Sequence, residues 1–375
     1  MRMNGKTALC AAMVTVLAFG CLGAEEEVHR KGRFQLTFTE SDPRGGVEIM
    51  EKKRHLISES DKRPEYDLST ITYEVLVPES YDPETFVPLL VWISPTDSGN
   101  PPKELVGALE RRGILFIGAN GSGNEKGVYL RFRAAIDAVY NMRRRYTIDE
   151  KKIIVAGLSG GGRCASMLTV VYPDIFTFGG LFCAGCNFYD DVIDAQRRKY
   201  VGYWQKKDTK LLGLAKQHYL AFLTGTKDFN RDDTRRVLGG FRKAGFRHHF
   251  YYENPQMDHR MSDPEDIEKA FAFFDEGLYP EAFAAYRAAE QAFKNRQFAL
   301  AAQKAAVAKE HFAAAGTLWE KLTEQAGAET EKLLATPNLR PALLRPRLQA
   351  VIQKYGPAAE TAKTKLQELT APPAP

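Results

Sequence analysis

Between Thr70 and Gly277 the chain repeats one pattern: a short run of almost wholly apolar residues, then a stretch with helical spacing or turn residues. The runs are Leu89–Ile93, Ile114–Ala119, Ile153–Ala156, Phe178–Cys183 and Tyr219–Thr224. A strand with no polar face must be covered on both sides, and sheets covered on both sides are built from parallel strands joined by crossover helices. Further strands are expected at Ile71–Val77, ended by Pro78, and at His248–Tyr252. Val128, Phe132, Ile136 and Val139 recur at helical spacing. Helices are also expected over Arg163–Tyr172, Asp232–Ala244 and Pro264–Gly277. The fold class is therefore α/β, a mostly parallel sheet with helices on both faces.

Around this block lie segments of different character. Arg2 and Lys6 precede the apolar run Thr7–Phe19, then Gly20–Ala24 and three glutamates. This is the layout of a secretory signal peptide over residues 1–24, and the run is too short for a membrane span. Two processing sites compete: cleavage after Ala24 gives a soluble exported protein, while Ala18-Phe19-Gly20-Cys21 resembles a lipobox that would acylate Cys21. Soluble export, secreted or periplasmic, is favoured because Ala18 replaces the usual leucine. Residues 25–68 read as a charged, irregular extension with a strand-like stretch at Phe34–Phe38. The α/β domain is expected at 69–279. Residues 280–370 are Ala-rich, with amphipathic helices through Ala328, prolines at 337, 341 and 346 breaking them, and a last helix over Arg347–Leu369. That region carries no chemistry and is read as a packing appendage, with partner docking as the alternative. Residues 371–375 form a frayed tail.

Composition excludes several functions. Lys plus Arg number 52 against 47 Asp plus Glu, a net charge of +5, too small an excess for a dedicated nucleic-acid binder. Five cysteines in 375 residues cannot build a disulfide scaffold. Cys183 and Cys186 read either as a disulfide or as two buried thiols at a strand end.

Gly157-Leu158-Ser159-Gly160-Gly161 has the form G-x-S-x-G and lies directly between an apolar strand and a helix. That context makes it a nucleophile elbow: the turn forces the serine into a strained backbone conformation and lifts its hydroxyl above the sheet. The Gly160 N–H, opening the helix, is placed to stabilise an oxyanion. A serine hydroxyl needs a base, and the base an acid to orient it; after an elbow these follow as acid, then histidine. Asp228 lies just past the strand ending at Thr224, and His259 lies in the loop before the helix at Pro264. All three sit at carboxyl ends of strands, where open α/β sheets gather catalytic groups. Asp232, Asp233 and Asp258 are rivals for the acid, and His218, His248 and His249 for the base. The first two aspartates suit the first turn of a helix, and the rival histidines lie in or beside strands.

These stretches, with Pro88–Ser94, Val155–Arg163 and Gly225–Asp228, make residues 69–277 resemble the α/β-hydrolase superfamily. The nearest likeness is to exported esterases of the polyhydroxybutyrate-depolymerase and feruloyl-esterase type. The resemblance implies hydrolysis of a small or polymer-borne carboxylic ester through an acyl-enzyme on Ser159, with His259 moving the proton, Asp228 orienting it, and no metal or organic cofactor. Many members carry His-Gly after the third strand; here Ser94-Pro95 stands there, and Pro95 has no N–H, so the second oxyanion donor is expected from Thr96. Two alternatives remain: a serine peptidase of the prolyl-oligopeptidase kind, lowered by the absence of a preceding propeller, and a non-catalytic hydrolase-fold binding protein. Gly121–Gly127 misses the dinucleotide spacing and reads as a rim loop with Asn120 or Asn124 facing substrate. The aromatics of Asn187–Gln217 are expected in a cap, lining an acyl pocket or packing the lid.

Overall fold

The computed structural model describes residues 28–56, 66–337 and 339–370. The expected signal peptide, the acylation site at Cys21 and the tail 371–375 lie outside the described residues. No helix among those described is long and apolar enough to cross a membrane.

Eight strands form one sheet: β1 (Gly32–Thr37), β2 (Thr72–Val77), β3 (Val87–Ile93), β4 (Leu115–Ala119), β5 (Ile148–Leu158), β6 (Gly179–Cys183), β9 (Tyr219–Gly225) and β10 (His248–Asn254). Their spatial order is β1-β2-β4-β3-β5-β6-β9-β10. Strand β2 runs antiparallel to both its neighbours, β1 and β4; from β4 to β10 the ladder is parallel. This is the α/β-hydrolase arrangement. Gly32–Thr37, read from sequence as part of an extension, is the edge strand of the sheet, registered on β2 over its whole length. β7 (Val192–Ile193) and β8 (Lys199–Tyr200) form a separate two-stranded hairpin.

Strands β3, β4 and β6 are buried at every residue, as their unbroken apolar runs require. One face packs against α2 (Val128–Met142), α3 (Gly160–Val171) and α5 (Arg231–Lys243), and the other against α1 (Lys103–Arg112) and α6 (Pro264–Leu278). Helix α1 is absent from the sequence expectation although Leu105, Ala108 and Leu109 give it a buried stripe and left-handed Gly113 (φ 61) ends it.

A buried ionic cluster ties α1 to α6. Arg112 donates through Nε and Nη2 to the two Asp275 oxygens, each at 2.8 Å, and through Nη1 to Glu268 at 3.1 Å. Breaking such a pair from one side strands a buried charge, so Asp275→Ala should destabilise the fold by about 3 kcal/mol in denaturant titration. Arg112→Met with Asp275→Leu should recover much of that loss, because removing both charges also removes their desolvation cost.

Beyond α6 the chain continues as α7 (Pro280–Lys294), α8 (Phe298–Ala308), α9 (Ala313–Leu334), α10 (Pro341–Tyr355) and α11 (Glu360–Glu368). These helices enclose a core of their own around Leu322, Leu348, Val351 and Tyr355. Pro346 does not break the chain as expected; it lies inside α10, at the loss of one backbone hydrogen bond. The break falls at Gly356 (φ 58) and Pro357, which split the single last helix expected over 347–369. Tyr279 joins this region to the sheet block: its hydroxyl donates to the Arg112 carbonyl at 3.0 Å, and its ring stacks on His311.

Candidate active site

Strand β5 runs straight into the elbow. Ser159 has φ 53 and ψ −118, a conformation that non-glycine residues rarely adopt, and this turn aims its hydroxyl away from the strand axis. The flanking glycines are required by proximity. A Cβ on Gly157 would run into the Gly161 backbone, and one on Gly161 into the Ile93 carbonyl. The strain is held from outside as well: the Ser159 N–H donates to the Cys183 carbonyl at 2.8 Å, across to β6.

The structure brings Ser159, Asp228 and His259 together from three separate loops. His259 Nε2 lies 2.9 Å from Ser159 Oγ, and His259 Nδ1 lies 2.8 Å from Asp228 Oδ1. The Asp228 side chain is fully buried, whereas that of His259 is 23% exposed. Asp228 also accepts from Thr224 Oγ1 at 2.7 Å and from the Asn230 N–H at 2.9 Å. With donors converging on it, the carboxylate acts as acceptor; Nδ1 of His259 then carries the proton and Nε2 turns its lone pair to the serine hydroxyl.

The rivals are placed elsewhere. Asp232 and Asp233 lie in the first turn of α5, where Asp233 pairs with Arg163 and Arg236. Asp258 is bound to its neighbour Arg260. His218 and His248 sit at the opposite end of the strands from Ser159, His248 stacked on Tyr219. Burial pushes the His218 imidazole down to about 4, and burial and then Arg242 lower that of His249. Cys183 and Cys186 are separate buried thiols, each pushed up to about 12 by burial.

Of the oxyanion donors expected from sequence, Gly160 opens α3, where a first-turn N–H has no partner within the helix. Thr96 differs from expectation: its N–H donates to Ser94 Oγ at 3.1 Å, a local turn bond that an oxyanion must displace. Asn120 does not face the cleft. Its Oδ1 accepts from the Gly99 N–H, and its Nδ2 donates to Thr72 and Glu74, so it fastens the loop after β3 to β2. Asn124 does face it, with Oδ1 against Gly160. In the 187–217 segment Phe188 and Tyr189 pack on Phe241, Tyr189 also meets Phe246 and Trp204, and Trp204 Nε1 donates to the Arg54 carbonyl. These aromatics pack the cap onto the core.

Two neighbours of the site escaped the sequence. Phe229, 76% exposed, lays its ring 4.0 Å from that of His259 and forms an apolar ledge at the mouth. Its only mark in the sequence is adjacency to Asp228. Arg163, one turn beyond Ser159, reaches Asn187, Asn230 and Asp233 and locks the acid loop to the elbow helix.

No family model and no curated protein matches the sequence. Solved structures that resemble it include a thermostable esterase (16% identity, TM-score 0.40, 59% of this chain and 62% of that one). Another is the S-formylglutathione hydrolase of Staphylococcus aureus (13%, 0.41, 66% and 99%). A third is dipeptidyl peptidase 4 of Porphyromonas gingivalis (15%, 0.39, 55% and 33%). The chain thus spans under two thirds of the thermostable esterase and a third of the peptidase.

Proposed function

We propose that the protein is an exported serine hydrolase that cleaves a carboxylic ester through an acyl-enzyme on Ser159. The observation that carries this reading is the unbroken hydrogen-bonded chain from Ser159 Oγ through His259 to buried Asp228. A strained serine held at φ 53 on this chain has no evident structural purpose, because strain of this kind costs about 1–3 kcal/mol.

In this mechanism Ser159 Oγ attacks the ester carbonyl while its proton passes to His259 Nε2. The carbonyl oxygen, now carrying the charge, accepts from the Gly160 N–H, and Thr96 joins by exchanging its bond to Ser94 Oγ. Collapse of the tetrahedral intermediate breaks the C–O bond, and the His259 proton leaves with the alcohol. Water then attacks the acyl group, giving its proton to His259, and the acid departs as Ser159 recovers its hydrogen. Asp228 stabilises the imidazolium in both halves without taking its proton. Phe229 offers an apolar or aromatic leaving group a surface beside His259. Export rests on the basic start and short apolar run before Ala24.

The test is fluorophosphonate labelling of the exported protein, with intact mass and peptide mapping. A single adduct on Ser159, together with turnover of p-nitrophenyl esters, is expected. Absence of labelling on folded protein would refute the hydrolase reading. Cleavage of prolyl amides in preference to esters would convert it to a peptidase.

A further inference from the structure

A buried charge lies behind the elbow. Arg131, in the first turns of α2, is 5% exposed. Its Nη2 donates to the Ser94 carbonyl at 2.8 Å and its Nη1 to Asn124 Oδ1 at 3.3 Å, while its buried Nε has no partner. Among the described residues no carboxylate pairs with it. Other well-sheltered guanidinium groups of this fold are treated differently: Arg54 faces Asp174, Arg112 faces Asp275 and Glu268, and Arg236 faces Asp233. Burying a cation without a counter-ion is costly, so stability does not account for it.

The position of the two bonds does. Ser94 is the first residue after β3, and its hydroxyl holds the Thr96 N–H. Asn124 belongs to the loop after β4, and its N–H donates to the Pro95 carbonyl at 2.9 Å, tying the two loops together. The same Asn124 side chain abuts Gly160, whose N–H is the proposed oxyanion donor. One guanidinium therefore grips both loops that wall the cleft in front of Ser159. It also stands as a fixed, buried positive charge on the two loops beside Gly160. A preorganised charge of this kind lowers the transition state without needing to reorganise when it forms.

We propose that Arg131 is the positioning residue of the oxyanion cleft: its uncompensated charge holds Ser94 and Asn124 around Gly160 and favours the anionic tetrahedral intermediate over the neutral ester. This rests on the hydrolase reading given above. Arg131 touches neither substrate nor Ser159; it acts through Ser94 and Asn124 and through its field.

The experiment compares Arg131→Met, Arg131→Lys and Asn124→Asp with the parent, measuring kcat and KM on a p-nitrophenyl ester and the affinity of an alkylboronic acid, which forms an anionic adduct on the serine. A group that acts only on the charged intermediate changes kcat and leaves KM in place, so Arg131→Met should lower kcat about 100-fold with KM within about threefold. Boronate affinity should fall in parallel with kcat/KM. Arg131→Lys keeps the charge and should recover part of the loss. Asn124→Asp keeps the packing and gives the guanidinium a counter-ion, so it should fold at least as stably as the parent while losing kcat; it also decides the matter if Arg131→Met fails to fold. Full kcat in folded Arg131→Met or Asn124→Asp, or equal loss in the methionine and lysine variants, would overturn the proposal. Those outcomes leave the parent chain labelled at Ser159 and active; a parent that neither labels nor hydrolyses esters would instead overturn the hydrolase reading, and this one with it.

Discussion

Ser159→Ala and His259→Ala are each expected to reduce ester turnover by about four to six orders of magnitude, to a similar residual level, and the double variant should be no worse. The geometry explains the equality. Ser159 Oγ and His259 Nε2 share one hydrogen bond, so deleting either end removes the same activated nucleophile. What remains after either change is the cleft, its N–H donors and substrate positioning, which still act on attack by water. Neither change should disturb folding. His259 is partly exposed, and Ser159→Ala removes one oxygen while leaving the strained turn held by the Cys183 carbonyl and the surrounding glycines. Thermal melts that superimpose on the parent's, with kcat lost and KM little changed, are the expected result. Turnover by Ser159→Ala equal to the parent's would end the covalent mechanism, and a large difference between the two single variants would mean that one of them acts outside the shared bond.

The architecture is legible because burial on both faces writes itself into consecutive residues. Leu89–Ile93 and Gly179–Cys183 lie in strands buried throughout, and the elbow lies between strand and helix as its sequence demands. Asp228 and His259 meet Ser159 because each follows the carboxyl end of a parallel strand, and parallel strands deliver those ends to one edge. What the sequence hid has a common cause. Arg131 and Phe229 matter through neighbours thirty or more residues away, and such contacts leave no local pattern. Asn120 and Asn124 look alike in sequence; only the return of β4 alongside β2 turns the first toward Thr72 and Glu74 and leaves the second at the cleft. The cap aromatics were equally ambiguous, since a stack of Tyr189, Trp204 and Phe241 and an open pocket have the same composition. Pro346 within α10 shows tertiary packing overriding a local breaker: Leu344, Leu348 and Val351 bury that helix face on either side of the proline.

Asp228 gives the second large effect, and a graded one. Asp228→Asn should lower kcat by about 10⁴-fold, because an amide placed at 2.8 Å from Nδ1 can donate to it and hold the imidazole in the tautomer whose Nε2 carries the proton. Ser159 then meets an N–H instead of a lone pair and cannot lose its proton. Asp228→Ala should cost less, about 10³- to 10⁴-fold, since the ring is freed rather than locked in the wrong form and spends part of its time correctly oriented. The stability order should be the reverse. Alanine leaves the Thr224 hydroxyl and the Asn230 N–H without their buried acceptor, at about 1–3 kcal/mol, whereas asparagine keeps an oxygen for one of them. Asn230 opens α5 and also donates through Nδ2 to the Ala184 carbonyl, so loosening it should show as faster amide hydrogen exchange at the start of α5. Activity and stability thus separate: the asparagine variant is the worse enzyme and the alanine variant the weaker fold. If both variants kept parental kcat while Asp233→Ala abolished it, the acid would lie on α5 and Asp228 would serve only to accept from Asn230 at its start.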